Sequence, residues 1–266
     1  MSYRTFAVVT FAGVTFAVVT FAAVMAATFT ATSIAAAQAP DARAALTAAA
    51  NALGMVRGLE RSLTIVNMFE YTAKGTLADA AGAQSEVNRI TAAYDYVIPA
   101  ARIDIERVAQ SGPQRTIEVA SGALAWDEET PGIYLRPAGT SAAERLKLIW
   151  LLPHGVILAA AKAPNKVAVA EKDGARELTV PLPTGTEAKA SLDAANLMTR
   201  VEIRIGAQVF TGDYADYKDF QGYGVMFPTR IVQKVDGRTI ADLTVSEALA
   251  NPYMIFPPPK ELKQSP

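Results

Sequence analysis

Apolar and polar positions change their rhythm along the chain. From Thr5 to Ala37 the residues are overwhelmingly apolar or small, with no charge between Arg4 and Asp41. From Asp41 to Leu53 the chain is alanine-rich, Leu46 and Leu53 lie seven apart, and Gly54 follows. That pattern predicts a short N-terminal helix closed by a glycine C-cap. From Gly58 the period shortens to two: Leu59, Leu63 and Ile65 share one parity while Glu60, Ser62 and Thr64 take the other, so strands are expected to begin here. The same alternation recurs at 102–106, 116–119, 166–169 and most clearly 200–205.

Two Asp-Gly pairs supply hairpin turns. Asp173-Gly174 is expected to join 167–171 to 177–180, and Asp236-Gly237 to join 229–235 to 239–245, making neighbouring strands antiparallel. One helical insertion interrupts the strands. Ser141 and Glu144 form a capping box, Leu146, Ile149 and Trp150 follow at helical spacing, Pro153 ends or kinks the helix, and 156–162 adds a turn or two before Pro164. The sum is an α+β, mainly β chain: a curved antiparallel sheet wrapped around about three helical segments. Strands that alternate apolar and polar need a cover on one face only. The tail 251–266, with prolines at 252, 257, 258, 259 and 266, cannot pair as a central strand and is expected to trail along a sheet edge as a cap or tether.

The apolar leader changes the picture of where the chain works. Thr-Phe-Ala-x-Val repeats four times from Thr5 to Val24, and the stretch ends in Ala35, Ala36, Ala37, Gln38, Ala39. That order is the order of a secretory signal peptide. Cleavage after Ala37 divides the chain into a signal peptide 1–37, a single domain 38–250 and the Pro-rich tail 251–266. The apolar region is also long enough to cross a bilayer, so an uncleaved anchor is the alternative and the one route by which the chain would meet a membrane. The expected location is the periplasm.

Composition narrows the chemistry. With 266 residues, 51% hydrophobic, the chain can bury one substantial core. Lys and Arg number 25 against 26 Asp and Glu, spread throughout, which leaves no nucleic-acid footprint. There are no cysteines, which removes disulfides, thiolate metal sites, cysteine nucleophiles and an acylated N-terminal cysteine. His154 is the only histidine, so two-histidine zinc sites are ruled out. No nucleophile elbow, Walker A loop or dinucleotide fingerprint is present, and Gly222-Tyr-Gly224 reads as a turn. The acidic groups Asp127, Glu128, Glu129 and Asp213, Asp216, Asp219 read as solvated surface, the second lacking the glycine and terminal glutamate of a calcium loop. No metal or cofactor is expected. His154, between Pro153 and Gly155 at the junction of two helical segments, reads as a hydrogen-bonded structural group, the weaker reading being a general base with no marked nucleophile.

A family resemblance enters at 214–233, where Tyr214, Asp216, Tyr217, Lys218, Asp219, Phe220 and Phe227-Pro-Thr-Arg-Ile-Val232 follow the form Y-x-D-Y-K-D-F-G-G-x-x-F-P-T-R-I-V. Ser121-Gly-Ala-Leu-Ala-Trp126 and Ile149-Trp-Leu-Leu-Pro-His-Gly155 add two further matches. Together they resemble the N-terminal domain of exported metallo-β-lactamase-fold hydrolase-class proteins and, more broadly, periplasmic lipoprotein-carrier and outer-membrane lipoprotein-sorting domains. The resemblance implies a half-barrel with an apolar cavity between sheet and helices, lined or buttressed by Trp126, Trp150, Pro153, His154, Tyr217, Phe227 and Pro228. It implies no hydrolase activity, because the zinc-binding H-x-H-x-D-H segment of those proteins has no counterpart here. Three functions follow: a carrier of an acyl chain, lipoprotein or other apolar ligand; an accessory domain for a separately encoded envelope hydrolase or complex; and an enzyme using His154.

Overall fold

The computed structural model describes residues 41–56, 65–79, 81–109, 112–172 and 174–263. Among them thirteen strands pair into one antiparallel sheet: β1 Met68–Ala78, β2 Gln84–Asp95, β3 Ala100–Ala109, β4 Gly112–Ser121, β5 Leu124–Thr130, β6 Ile133–Pro137, β7 Ala168–Lys172, β8 Ala175–Pro181, β9 Glu187–Leu192, β10 Met198–Ile205, β11 Gln208–Asp219, β12 Met226–Val235 and β13 Arg238–Ala250. Their spatial order is β6-β5-β4-β3-β2-β1-β13-β12-β11-β10-β9-β8-β7. The sheet is thus two meanders joined where β1 pairs with β13, and its edges β6 and β7 do not meet. The 167–171/177–180 and 229–235/239–245 hairpins are present as β7–β8 and β12–β13. The strand expected from Gly58 falls largely on 57–64, and the leader on 1–40, both outside the described residues; the first described strand starts at Met68.

Curvature comes from irregularities in register. β1 shifts against both neighbours around Ala73–Gly75, and Gly75 is needed there: a Cβ on it would lie 2.0 Å from the Asp242 carbonyl oxygen. Further shifts break β9–β10 and β12–β13, and Asp216 in β11 adopts a left-handed φ of 56°.

The crossing from edge β6 to edge β7 carries the helices over one face, here called the inner face. α2 (Ala142–Leu146) starts at the predicted capping residue, Ser141, whose side chain accepts from the Glu144 N–H. A 3₁₀ turn (Ile149–Leu151) follows, then α3 (Pro153–Lys162). Pro153 therefore begins a helix instead of ending one. Its fixed φ suits the first helical position, where no N–H is needed. The N-terminal helix is α1 (Ala42–Ala52), capped by Asp41. Its buried face, Ala45, Leu46, Ala49 and Ala50, is small enough to let it pack against α3. Gly54 closes it at φ 70°, and a Cβ there would lie 1.7 Å from the Gly224 carbonyl oxygen.

The layers are joined at the 3₁₀ turn. Leu152 is extended, so the turn cannot run on into α3, and Pro153 has no N–H to offer the Ile149 carbonyl. Tyr96, from the β2–β3 turn, donates its hydroxyl to Ile149 O at 2.9 Å, and Tyr214, from β11, donates to Leu151 O at 2.7 Å. Gly155 permits the approach, since a Cβ on it would sit 2.8 Å from Ile149 O and 2.9 Å from the Tyr96 ring. The inner side chains of the sheet and the helices form one continuous buried cluster.

The tail departs from expectation. It lies over the other, outer face of β2–β5 instead of along an edge: Phe256 is buried with Ala93, Ala100, Ile117, Val119 and Trp126, flanked by Met254 and Leu262. Proline bars the tail from ladder pairing but not from packing side chains over a face. A short helix, α4 (Lys260–Lys263), ends the described chain. No described helix is long and apolar enough to cross a membrane.

Tyr96→Phe and Tyr214→Phe each strand a buried carbonyl, so each is expected to lower unfolding free energy by about 1–3 kcal/mol. Gly155→Ala should cost at least as much through the clash. Urea unfolding followed by circular dichroism checks this; a Tyr96→Phe protein as stable as the parent would show that the carbonyl is satisfied some other way.

Candidate functional site

The inner face of β1 carries Phe69, Tyr71 and Ala73, all buried, and the helices bring His154 and Trp150 down onto it. Ring contacts then run without a break. His154 meets Phe69 at 4.1 Å between centroids and stacks on Phe227 at 5.3 Å and 9°. Phe227 meets Tyr71 at 5.4 Å, Tyr71 meets Tyr94 at 6.2 Å, Tyr94 meets Tyr96 at 6.4 Å, and Tyr96 meets Trp150 at 5.4 Å. Such pairs add about 0.5–1.5 kcal/mol each beyond the area they bury. The ladder crosses from α3 to the sheet and back to the 3₁₀ turn.

It is also uncharged. Burial pushes the Tyr71 hydroxyl up to about 12, against a smaller lowering by its hydrogen bond with Tyr94, and burial raises Tyr94, Tyr96 and Tyr214 as well. Burial lowers His154 to about 3, only partly opposed by its bond to the Met226 carbonyl. Its Nε2 lies 2.9 Å from Met226 O. A carbonyl only accepts, so Nε2 carries the proton and the ring is neutral. Fully buried, stacked on Phe227 and tilted against Phe69, whose two rings are themselves 6.0 Å apart, His154 faces no hydroxyl or carboxylate in hydrogen-bond contact among the described residues.

One end of the ladder lies beneath a rim built from four chain segments. Asn251 ties two of them together: its Oδ1 accepts from the N–H groups of Asn67 and Met68, and its Nδ2 donates to Ile65 O at 2.7 Å. Tyr96 N–H donates to Asn67 O, and Ala250 N–H donates to the Gln221 side chain at 2.8 Å. Asp219 accepts from the backbone N–H groups of Gly224, Gly222, Gln221 and Tyr223, which lowers its pKa and fixes the 220–224 loop. This rim exposes Ile65, Val97, Ile98 and Tyr223, and the tail that leaves it exposes Tyr253 (95%) and Ile255. A cleft of about 10 Å³ lined by Phe69, Phe227, Gln221, Val225 and 248–250 opens beside it.

The structure brings together Trp150, Pro153, His154 and Phe227 of the expected site residues. Tyr217 pairs across β11–β12 with the buried Pro228 and donates to Met198 O at 2.6 Å, away from the ladder. Trp126 lies elsewhere. It pairs with Val119, whose side chain belongs to the outer-face cluster, while the adjacent Ala120 belongs to the inner one. Alternation therefore puts Trp126 on the outer face under Phe256. The acidic residues beside it are not all solvated surface. Glu128 is buried, accepting from Arg102 at 2.8 and 3.1 Å, from Trp126 Nε1 at 3.0 Å and from Gly132 N–H at 2.8 Å. Asp127, against the upward push of partial burial, is held below the usual carboxylate range by Arg145 and Arg136. Arg115, Glu118, Asp127, Arg136 and Arg145 line a charged cavity of about 470 Å³. Asp213 pairs with Arg200 and Lys234, apart from Asp219, and no described group of His, Asp and Glu is arranged to hold a metal ion. Phe69, Tyr71, Tyr94 and Tyr96 join the ladder beyond the residues expected for the site; their signal in the sequence is the alternation Phe69-x-Tyr71 and Tyr94-x-Tyr96.

The unfolded chain binds a proton at His154 below about pH 6.5, the folded chain only below about 3. Unfolding therefore takes up a proton across that window, and stability falls as pH drops from 6.5 towards 3. Relative to His154→Phe, the parent is expected to lose about 2 kcal/mol more between pH 6.5 and 5. Parallel pH profiles of the two proteins in urea melts would mean that His154 titrates normally.

No family model matches the chain, and no curated protein matches it. Among solved structures it is similar to a LolA superfamily protein from Nitrosomonas europaea, at 12% identity and a TM-score of 0.46, over 85% of this chain and 99% of that one. It is also similar to a domain from Vibrio parahaemolyticus described as outer membrane lipoprotein-sorting, at 12% identity and a TM-score of 0.41, over 81% of this chain and 95% of that one.

Proposed function

We propose that this is an exported, periplasmic binding or carrier protein for an apolar molecule, an acyl chain or the lipid part of a lipoprotein, taken up between the helical layer and the inner face of the sheet. The observation that carries the reading is the uncharged aromatic ladder running from Trp150 to His154 and ending beneath a rim of exposed Ile65, Val97, Ile98 and Tyr223. The apolar cavity expected there is filled by side chains among the described residues, and the cleft at the rim holds about 10 Å³, so uptake has to open the inner face. The helices are fastened to the sheet by side-chain bonds and packing, not by a ladder, so they can be displaced while the strands stay paired. A second reading, an accessory domain docking on an envelope hydrolase or complex, draws on the exposed Tyr253 and Ile255 of the tail. Catalysis by His154 is disfavoured by its full burial against Phe69 and Phe227.

The exported protein, purified from periplasm, is expected to carry an apolar molecule detectable by native mass spectrometry and organic extraction, and to take up the neutral dye N-phenyl-1-naphthylamine. Val97→Asp combined with Ile98→Asp should weaken dye uptake by about tenfold with little change in melting temperature, since both side chains are exposed. A stably folded protein that is empty and takes up no dye sinks the carrier reading and favours the accessory one.

A further inference from the structure

The ladder contains one polar atom that the fold leaves unanswered. Because His154 Nε2–H donates to the Met226 carbonyl, the neutral ring presents Nδ1 as a lone-pair acceptor. Nδ1 is buried and has no hydrogen-bond partner among the described residues. The rings packed against His154 are those of Phe69 and Phe227, which offer no donor. An orphaned acceptor of this kind costs about 1–3 kcal/mol, recovered only when a donor reaches it. The same two phenyl rings line the cleft of about 10 Å³ at the rim, space for about one water-sized group. Phe69 and Phe227 are each the second residue of their strands, so the rings packed against His154 lie at the end of the sheet that carries the rim.

We infer that the ligand is a neutral amphiphile whose hydroxyl donates a hydrogen bond to His154 Nδ1, its apolar chain following Phe227 and Tyr71 along the sheet. This rests on the carrier reading and names its ligand class. An ionised carboxylate is rejected at this position. It can only accept, it would set its charge against the Nδ1 lone pair, and the rings packed against His154, Phe69 and Phe227, offer no cation to compensate its lost hydration, the ammonium of Lys162 lying over Trp150 at the other end of the ladder. A molecule of equal length with no donor fills the same space but leaves the acceptor orphaned, and sites that hydrogen-bond a substrate hydroxyl discriminate against analogues lacking it.

The test uses dodecan-1-ol, its methyl ether and dodecanoate at pH 8, each competing with the bound dye on the exported protein. The alcohol is expected to bind at least tenfold more tightly than the ether and the carboxylate. His154→Phe, which keeps a ring against Phe69 and Phe227, should bind alcohol and ether alike. Should that variant fail to fold, the parent alone decides: as the chain has one histidine, its ¹⁵N spectrum reports Nδ1 without assignment. The Nδ1 resonance should move on adding alcohol and stay in place with ether. Equal binding of alcohol and ether by the parent, or an Nδ1 resonance indifferent to the alcohol, overturns this inference and leaves the carrier reading standing. Failure to bind any of the three, or the dye, overturns both.

Discussion

A proline that cannot donate sets the terms for the interior. At the junction of the 3₁₀ turn and α3 the chain needs donors for the carbonyls of Ile149 and Leu151, and Pro153 together with the extended Leu152 removes the local supply. The sheet provides them as tyrosine hydroxyls from two distant places, the β2–β3 turn and β11. Those bonds place Tyr96 and Tyr214 with their rings inward, demand glycine at 155, and seat His154 one residue into α3, against Phe69 and Phe227. The aromatic ladder is the consequence. Each ring lies where it does because its neighbour is already fixed by a backbone carbonyl or a strand register.

The outer face solves a different problem. Val119, Ile117 and Trp126 alternate with the inner positions, so they point away from the helices and would meet water. Phe256 and its flanking Met254 and Leu262 cover them, and Arg102 bridges the apolar and charged parts: its guanidinium lies 5.2 Å from the Phe256 centroid while it holds Glu128 with two nitrogens. With Trp126 Nε1 and the Gly132 N–H also bound, the Glu128 carboxylate is fully engaged. A buried pair of this kind stabilises little against a hydrophobic substitute, but losing one member is costly. Its role here is to fix the orientation of Trp126 and the β5–β6 turn.

Much of this was legible in the sequence, and the parts that were not share a cause. Local rules worked: the Asp236-Gly237 turn gave β12–β13, the strands expected on either side of 173–174 pair as β7–β8, Ser141 capped α2, and Gly54 closed α1. What failed depended on direction across a sheet or on distant partners. Alternation tells that Trp126 and Ala125 face opposite ways, but not which of them looks towards the helices. Pro153 obeys the same φ constraint whether it ends one helix or begins the next; the preceding extended Leu152 decides. Glu128 read as solvated because its partner Arg102 is 26 residues away. The tail's prolines told correctly that it forms no strand, and were silent on Phe256 finding a face to cover.

The two faces differ in how their covers are attached, and this bears on which of them can open. On the outer face Phe256 is bonded into a cluster where a charged network is saturated, and uncovering it would expose Trp126 with no polar exchange to offset the cost. On the inner face the cover is a chain segment spanning two sheet edges, held at its centre by two hydroxyl bonds, one imidazole bond and ring contacts, and towards its ends by Arg145, which donates to Val119 O, Trp126 O and Asp127, and by Lys162, which donates to Tyr96 O. A hydroxyl bond to a carbonyl contributes a net of about 1 kcal/mol, and the ring contacts are non-directional enough for an apolar chain to replace them. The sheet needs none of these bonds to keep its own ladder. The physical asymmetry is therefore between a sheet whose ladder is self-sufficient and a helical cover joined to its inner face through side-chain bonds and ring contacts, the arrangement on which the proposed uptake of an apolar guest relies.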